Sequence, residues 1–180
     1  NILSTRLRYA DEESTLINLK HFTLISSWID RKKQDYQPEQ IPYVFKLLYR
    51  GSRDGISDKS FRKKCKGRIA SLVLIRVQKS KQIFGGYSSI GFNPVGNSFT
   101  IEDNLKFYYA SDNFIFSFEN SEDTQNMKIS RVVNPSKAIL DFDASGVTFY
   151  RNDVGFNFGQ GSLCMINPNL HVNNLCNNYE

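Results

Sequence analysis

The chain of 180 residues is predicted to be an α+β protein, mainly β, with two antiparallel sheets packed as a sandwich and flanked by helices. Three observations lead to this class. Short apolar runs recur at close spacing from about Leu105 onward. One of them, Phe114-Ile115-Phe116-Ser117-Phe118, alternates with period two and places three phenylalanines on one face. Helical patterning is confined to segments ahead of these strands, which argues against a βαβ array.

Residues 1–13 are polar and charged and read as a linker or leader from an upstream domain, leaving 14–180 as the folded domain. Leu16 and Ile17 suit a short strand, and Asn18 is placed to cap a helix. From Leu19 to about Asp30, Leu19, Phe22, Ile25 and Ile29 share one helical face, widened by Leu24 and Trp28. Arg31, Lys32 and Lys33 then suit the negative end of the helix dipole. His21 in this helix is expected at the surface or half-buried, since no second metal ligand has suitable spacing. Pro42 precedes Tyr43–Tyr49, which is apolar enough for a strand or a short helix.

A turn-rich polar segment follows, Arg50-Gly51-Ser52-Arg53-Asp54-Gly55. Ser57 can cap a second helix with Asp58 in its first turn. Phe61 and Cys65 lie at i, i+4 and should face the core, while Arg62, Lys63, Lys64 and Lys66 should face outward. Ser71–Val77 reads as a strand buried on both faces at its start. Gln78–Gln82 makes a hairpin turn into Ile83-Phe84-Gly85-Gly86-Tyr87, where two strand glycines mark a bulge or the close approach of a partner element.

Gly91–Asp103 reads as a long loop. Strands are then expected at about Leu105–Tyr109, Asn113–Phe118, Lys128–Val133, Ala138–Phe142, Val147–Tyr150, Asp153–Phe158 and Leu163–Ile166. Asp143-Ala144-Ser145-Gly146 signals a tight turn. The Asn-rich segment 167–180 is expected to be poorly ordered except where Leu170, Leu175 or Tyr179 docks.

Composition bounds the function class. The net charge of +5 allows an anionic partner: an acidic protein face, nucleic acid or membrane headgroups. Three cysteines without CxxC spacing (Cys65, Cys164, Cys176) argue against a disulfide scaffold and a zinc site. No glycosylation acceptor occurs, and a reducing, intracellular and cytoplasmic setting is expected.

The run Leu47-Leu48-Tyr49-Arg50-Gly51-Ser52-Arg53-Asp54-Gly55, then Phe61, then Leu72-Val73-Leu74-Ile75 and Ile83-Phe84-Gly85-Gly86-Tyr87, resembles a TLDc domain. The aromatic strand at Phe114–Phe118 stands where that family has it. The resemblance spans roughly Thr15 to Glu180 and is greatest to members in which a BTB domain precedes TLDc. Two places depart from the family pattern. Gly91-Phe92-Asn93 stands where a tryptophan is frequent, and Phe149 is followed by Tyr150-Arg151-Asn152 instead of a glycine cluster, with the following acid kept as Asp153. The resemblance implies the sandwich fold, a link to protection against oxidative stress and, for several members, binding to the vacuolar proton-pumping ATPase. An upstream BTB domain would imply dimerisation. The family carries no established catalytic residues, so no enzyme activity, cofactor, metal or small-molecule substrate is expected.

The residues themselves add little chemistry. Ser52 sits in Gly-Ser-Arg-Asp-Gly, not a nucleophile elbow. Cys65 neighbours Lys63, Lys64 and Lys66, which could lower its pKa, yet its spacing from Phe61 predicts burial. Three readings therefore stand: a non-catalytic interaction module contacting a partner through Arg50, Ser52, Arg53, Asp54 and Gly55; a redox-protective protein using Cys65; and a basic surface for nucleic acid or anionic membrane. The first is preferred, because nucleic-acid binding rests on charge alone.

Overall fold

The computed structural model describes residues 16–77, 79–92, 99–102, 105–141, 154–166, 169–173 and 178–180. The expected linker at 1–13, the strand at Val147–Tyr150, the Asp143–Gly146 turn, the Tyr150-Arg151-Asn152 segment and Cys176 lie outside these residues. Two compact units are distinguished, one of residues 1–47, 74–84 and 117–128, the other of 48–73, 85–116 and 129–180.

The first unit is built on helix α1, Leu19–Ile29. Asn18 caps it as predicted, its Oδ1 accepting from Lys20 N at 3.0 Å and His21 N at 3.4 Å. Phe22, Leu24 and Ile25 are buried. Phe22 packs on Phe45, and Trp28 stacks on Phe118. Residues 41–50 form neither strand nor helix. Their side chains alternate in exposure from Tyr43 to Leu47, but among the described residues their backbone belongs to no strand ladder.

His21 is fully buried, contrary to expectation. Its ring sits edge-on to Phe118 at 4.4 Å. Nδ1 lies 2.8 Å from Asn18 Oδ1 and Nε2 3.3 Å from the Asp123 carbonyl oxygen. One of these oxygens accepts the single N–H of the neutral ring, and Asn18 N, 3.4 Å from Nδ1, can donate to that nitrogen when Nε2 carries the proton, partners that the helix pattern alone does not show. Burial lowers the His21 pKa below its ordinary value, and the Asp123 and Asn120 carbonyls and the Asp123 carboxylate oppose this. The unfolded chain therefore binds a proton at about pH 6.5 that the folded chain resists. Stability present above that pH is lost as the pH falls through it toward the folded value. The urea midpoint is expected to drop between about pH 7.5 and about pH 5.5, and to drop less in His21→Gln. Equal slopes for both proteins would contradict it.

Two antiparallel sheets are present, so the α+β sandwich class holds. The four-stranded sheet runs β1 (Ser71–Arg76), β2 (Ile83–Ser88), β5 (Phe114–Phe118), β6 (Lys128–Arg131). The six-stranded sheet, in the second unit, runs β10 (Asn169–Val172), β9 (Leu163–Ile166), β8 (Val154–Phe158), β7 (Ile139–Asp141), β4 (Leu105–Tyr108), β3 (Phe99–Glu102). Phe114, Phe116 and Phe118 are all buried, while Ile115 and Ser117 are half-buried.

Three expectations are corrected. Strand β1 is half-exposed, not buried on both faces, because it is an edge strand. The region read as a loop contains β3, and the segment read as poorly ordered contains β10. Both are four-residue edge strands with one pairing partner each.

Within the second unit, Gly86 of β2 faces the ring of Phe158 on β8. A Cβ at Gly86 would lie 2.6 Å from Phe158 Cζ. At Gly85 it would lie 2.2 Å from Phe116 Cζ and 2.7 Å from the Val73 carbonyl oxygen. Phenylalanine rings thus occupy the volume that side chains at this glycine pair would fill. Phe92, buried, packs against Phe61, Phe156 and Phe158. An aromatic side chain thus fills the core at Phe92. Tyr179 docks as anticipated, its hydroxyl donating to the Ala138 carbonyl at 2.9 Å.

Candidate functional site: the Arg50–Gly55 turn

The polar segment forms a single helical turn, α2, Gly51–Asp54. Its local sequence explains it. Arg50 has extended backbone angles and accepts at its carbonyl from Arg53 N and Asp54 N at 2.9 and 2.8 Å. Gly55 ends the turn at φ 81°, a conformation suited to glycine. The Gly55 carbonyl is then gripped by Tyr49 Oη at 2.7 Å, Ser60 Oγ at 2.9 Å and Ser57 N at 3.2 Å.

Asp54 closes the turn from the other side. Its carboxylate accepts from Arg53 Nε and Nη2 at 3.0 and 2.8 Å and from Arg50 N at 2.9 Å. Lys64 Nζ lies 3.7 Å away. Arg53 first, then the Arg50 amide, hold this carboxyl well below the usual carboxylate range. The arrangement is a pinned polar knob: Ser52, Arg53 and Gly55 are exposed, and Arg50 and Asp54 half-buried. Among the described residues the Ser52 hydroxyl has no hydrogen-bond partner. Ile56, just beyond, is 48 % exposed.

Helix α3, Asp58–Cys65, stands behind the turn, capped by Ser57 Oγ accepting from Ser60 N at 3.2 Å. Phe61 and Cys65 are buried and Lys63, Lys64 and Lys66 exposed. Arg62 departs from the expected outward orientation. Its Nη1 and Nη2 each lie 3.3 Å from Asp141 Oδ1 on β7, and its Nε donates to the Val154 carbonyl at 3.0 Å. One position beyond Phe61, it borders the buried face, so its long side chain reaches the sheet. That border position was the only available sequence signal. The ion pair itself spans 79 residues and leaves no local trace.

Cys65 is packed against the core, and burial pushes its thiol up to about 11. That leaves it protonated at neutral pH, opposite to the thiolate character of reactive cysteines. The adjacent lysines are exposed, and Cys164 is also buried. Among the described residues no group of three or more His, Cys, Asp or Glu could hold a metal ion. None of their helices is long and apolar enough to cross a membrane.

A family model described as the TLDc domain matches residues 10–179, nearly the whole chain. No curated protein and no solved structure matches it.

Proposed function

The chain belongs to the TLDc family, and from that premise we propose that its Arg50–Gly55 turn is the contact surface for a protein partner, the vacuolar proton-pumping ATPase. TLDc domains are non-catalytic modules linked in general to protection against oxidative stress. The reading adds a partner, a surface and a cytoplasmic setting. In a protein where a BTB domain precedes this one, that domain would supply dimerisation.

The observation that supports the surface is the pinned geometry of the turn. Bonds from Arg53, Arg50, Tyr49, Ser60 and Ser57 fix its backbone before any partner arrives. A preorganised polar knob loses little freedom on binding. Exposed Ser52, Arg53 and Ile56 combine polar and apolar contacts on that support. The redox reading gains no such support, because Cys65 is buried and its thiol is held protonated.

The test mixes the 180-residue chain at about 10 μM with assembled vacuolar ATPase and follows co-sedimentation and ATP hydrolysis. Binding with altered hydrolysis is expected. Ser52→Arg places a bulky cation on the exposed side of the turn and should weaken binding about tenfold. Absence of co-sedimentation overturns the partner. Wild-type binding by Ser52→Arg moves the contact surface elsewhere.

A further inference from the structure

Charge is unevenly placed along this chain. Residues 46–81 hold twelve lysines and arginines against two acids, Asp54 and Asp58, while the whole chain is only +5. The two acids do not offset the excess at the surface: Asp58 is buried, and Asp54 is engaged by Arg53 and Lys64. On α3 the cations sort by helical angle. Arg62 turns inward to Asp141 and Lys64 sideways to Asp54. Lys59, Lys63 and Lys66 recur at i, i+4 and i+7, opposite Phe61 and Cys65. All three are exposed, and none has an ion-pair partner among the described residues. They form a cationic ridge about 10 Å long.

The ridge runs directly into a turn with an aliphatic tip. Gly67 and Ala70 both have positive φ, 68° and 52°, and bracket Arg68 and Ile69. An alanine at positive φ is strained, and such strain persists only where surrounding structure enforces it. Here Ala70 N donates to the Ser89 carbonyl at 3.0 Å, and the backbone of Arg68 and Ile69 lies against Gly91. The result is a braced turn that holds Ile69 at 72 % exposure next to Arg68 and three positions beyond Lys66, both of them also exposed.

We propose that Lys59, Lys63, Lys66, Arg68 and Ile69 form a docking surface for an anionic phospholipid membrane. The four cations meet the headgroups, and Ile69 enters the boundary between headgroups and acyl chains. A bilayer uses both parts of the surface, since lysine and arginine gain from the negative leaflet and an exposed aliphatic side chain gains from leaving water. Nucleic acid would use the cations and leave Ile69 idle, and segment 56–70 presents no exposed aromatic on which bases could stack. An acidic protein would likewise be served by the lysines without a braced aliphatic tip.

The test is co-sedimentation of the 180-residue chain with phosphatidylcholine vesicles containing about 30 % phosphatidylserine, with pure phosphatidylcholine vesicles, soluble polyglutamate and duplex DNA as the other arms. Binding to the anionic vesicles alone is expected, weakening as salt rises from about 0.05 to about 0.5 M. Lys59→Glu/Lys63→Glu/Lys66→Glu should lower it by about a hundredfold, since each base contributes about fivefold. Ile69→Ser should lower vesicle binding about tenfold at unchanged charge. Equal melting temperatures check that these exposed substitutions leave the fold intact, and Ile69→Asn repeats the test should Ile69→Ser melt early. No binding to anionic vesicles overturns the proposal, as does equal binding to neutral ones. Wild-type vesicle binding by Ile69→Ser, or stronger retention by polyglutamate or DNA than by vesicles, reassigns the surface to a soluble polyanion and equally overturns it.

Discussion

Gly91→Ala is expected to lose about 3–5 kcal/mol of folding stability, a large part of what holds a domain of this size together. Two independent costs combine. Gly91 has φ 73°, where an alanine pays about 1–2 kcal/mol for the left-handed backbone. Its Cβ would also lie 1.8 Å from the Arg68 carbonyl oxygen and 2.9 Å from the Arg68 carbonyl carbon. Both atoms are backbone, so no rotamer change relieves the clash. The segments are tied as well: Ser88 Oγ donates to the Gly91 carbonyl at 2.9 Å, and Ala70 N donates to the Ser89 carbonyl. Gly55→Ala separates the two costs. Gly55 has φ 81° but nothing within 4 Å of an added Cβ, so only about 1–2 kcal/mol should be lost there. Urea denaturation followed by far-UV circular dichroism compares the two variants. Equal losses would mean that the close approach of Arg68 to Gly91 is absent in solution.

The contrast between these glycines shows what the sequence carries. Positive φ at Gly55 is legible because the residue ends a short polar turn with Asp54 before it. The approach to Gly91 is made by Arg68, more than twenty positions earlier, and no local pattern announces it. The same division runs through the fold. Period two over Phe114–Phe118 and the Asn18 cap are local signals, and both elements form where those signals lie. Strands β3 and β10 are short edges whose outer sides pair with nothing in their sheet, so burial imposes little alternation on them. β1 shows the converse, because a continuous Leu-Val-Leu-Ile run reads as central although the strand lies at an edge. His21 is buried by carbonyl oxygens and an aromatic ring that arrive about 100 residues later. In the candidate turn the Arg53–Asp54 adjacency was visible, whereas the grip on the Gly55 carbonyl by Tyr49, Ser57 and Ser60 emerges only once α3 is placed.

Arg62→Met is expected to cost about 3 kcal/mol, more than Asp141→Leu, although each removes the same ion pair. The asymmetry follows from where the charges lie. Asp141 is 5 % exposed on β7, and losing Arg62 removes the cation at its Oδ1. The Tyr108 hydroxyl at 3.5 Å is a weak substitute for a guanidinium. Arg62, at 18 % side-chain exposure, keeps its bond to the Val154 carbonyl when Asp141 is replaced and retains access to water. That loss should be about 1–2 kcal/mol. The double variant Arg62→Met/Asp141→Leu removes both desolvated charges and adds apolar surface between α3 and β7. It is expected to lie within about 1 kcal/mol of the parent, because a buried pair replaced whole is often close to neutral. Urea midpoints of the four proteins at neutral pH give the coupling energy directly. A double variant as unstable as the sum of the singles would mean that the two side chains do not meet. A double variant well below the parent, yet more stable than the sum of the single losses predicts, would mean that the pair is worth more than its apolar replacement, and that this inward-turned arginine fixes how helix α3 seats on its sheet within the second unit.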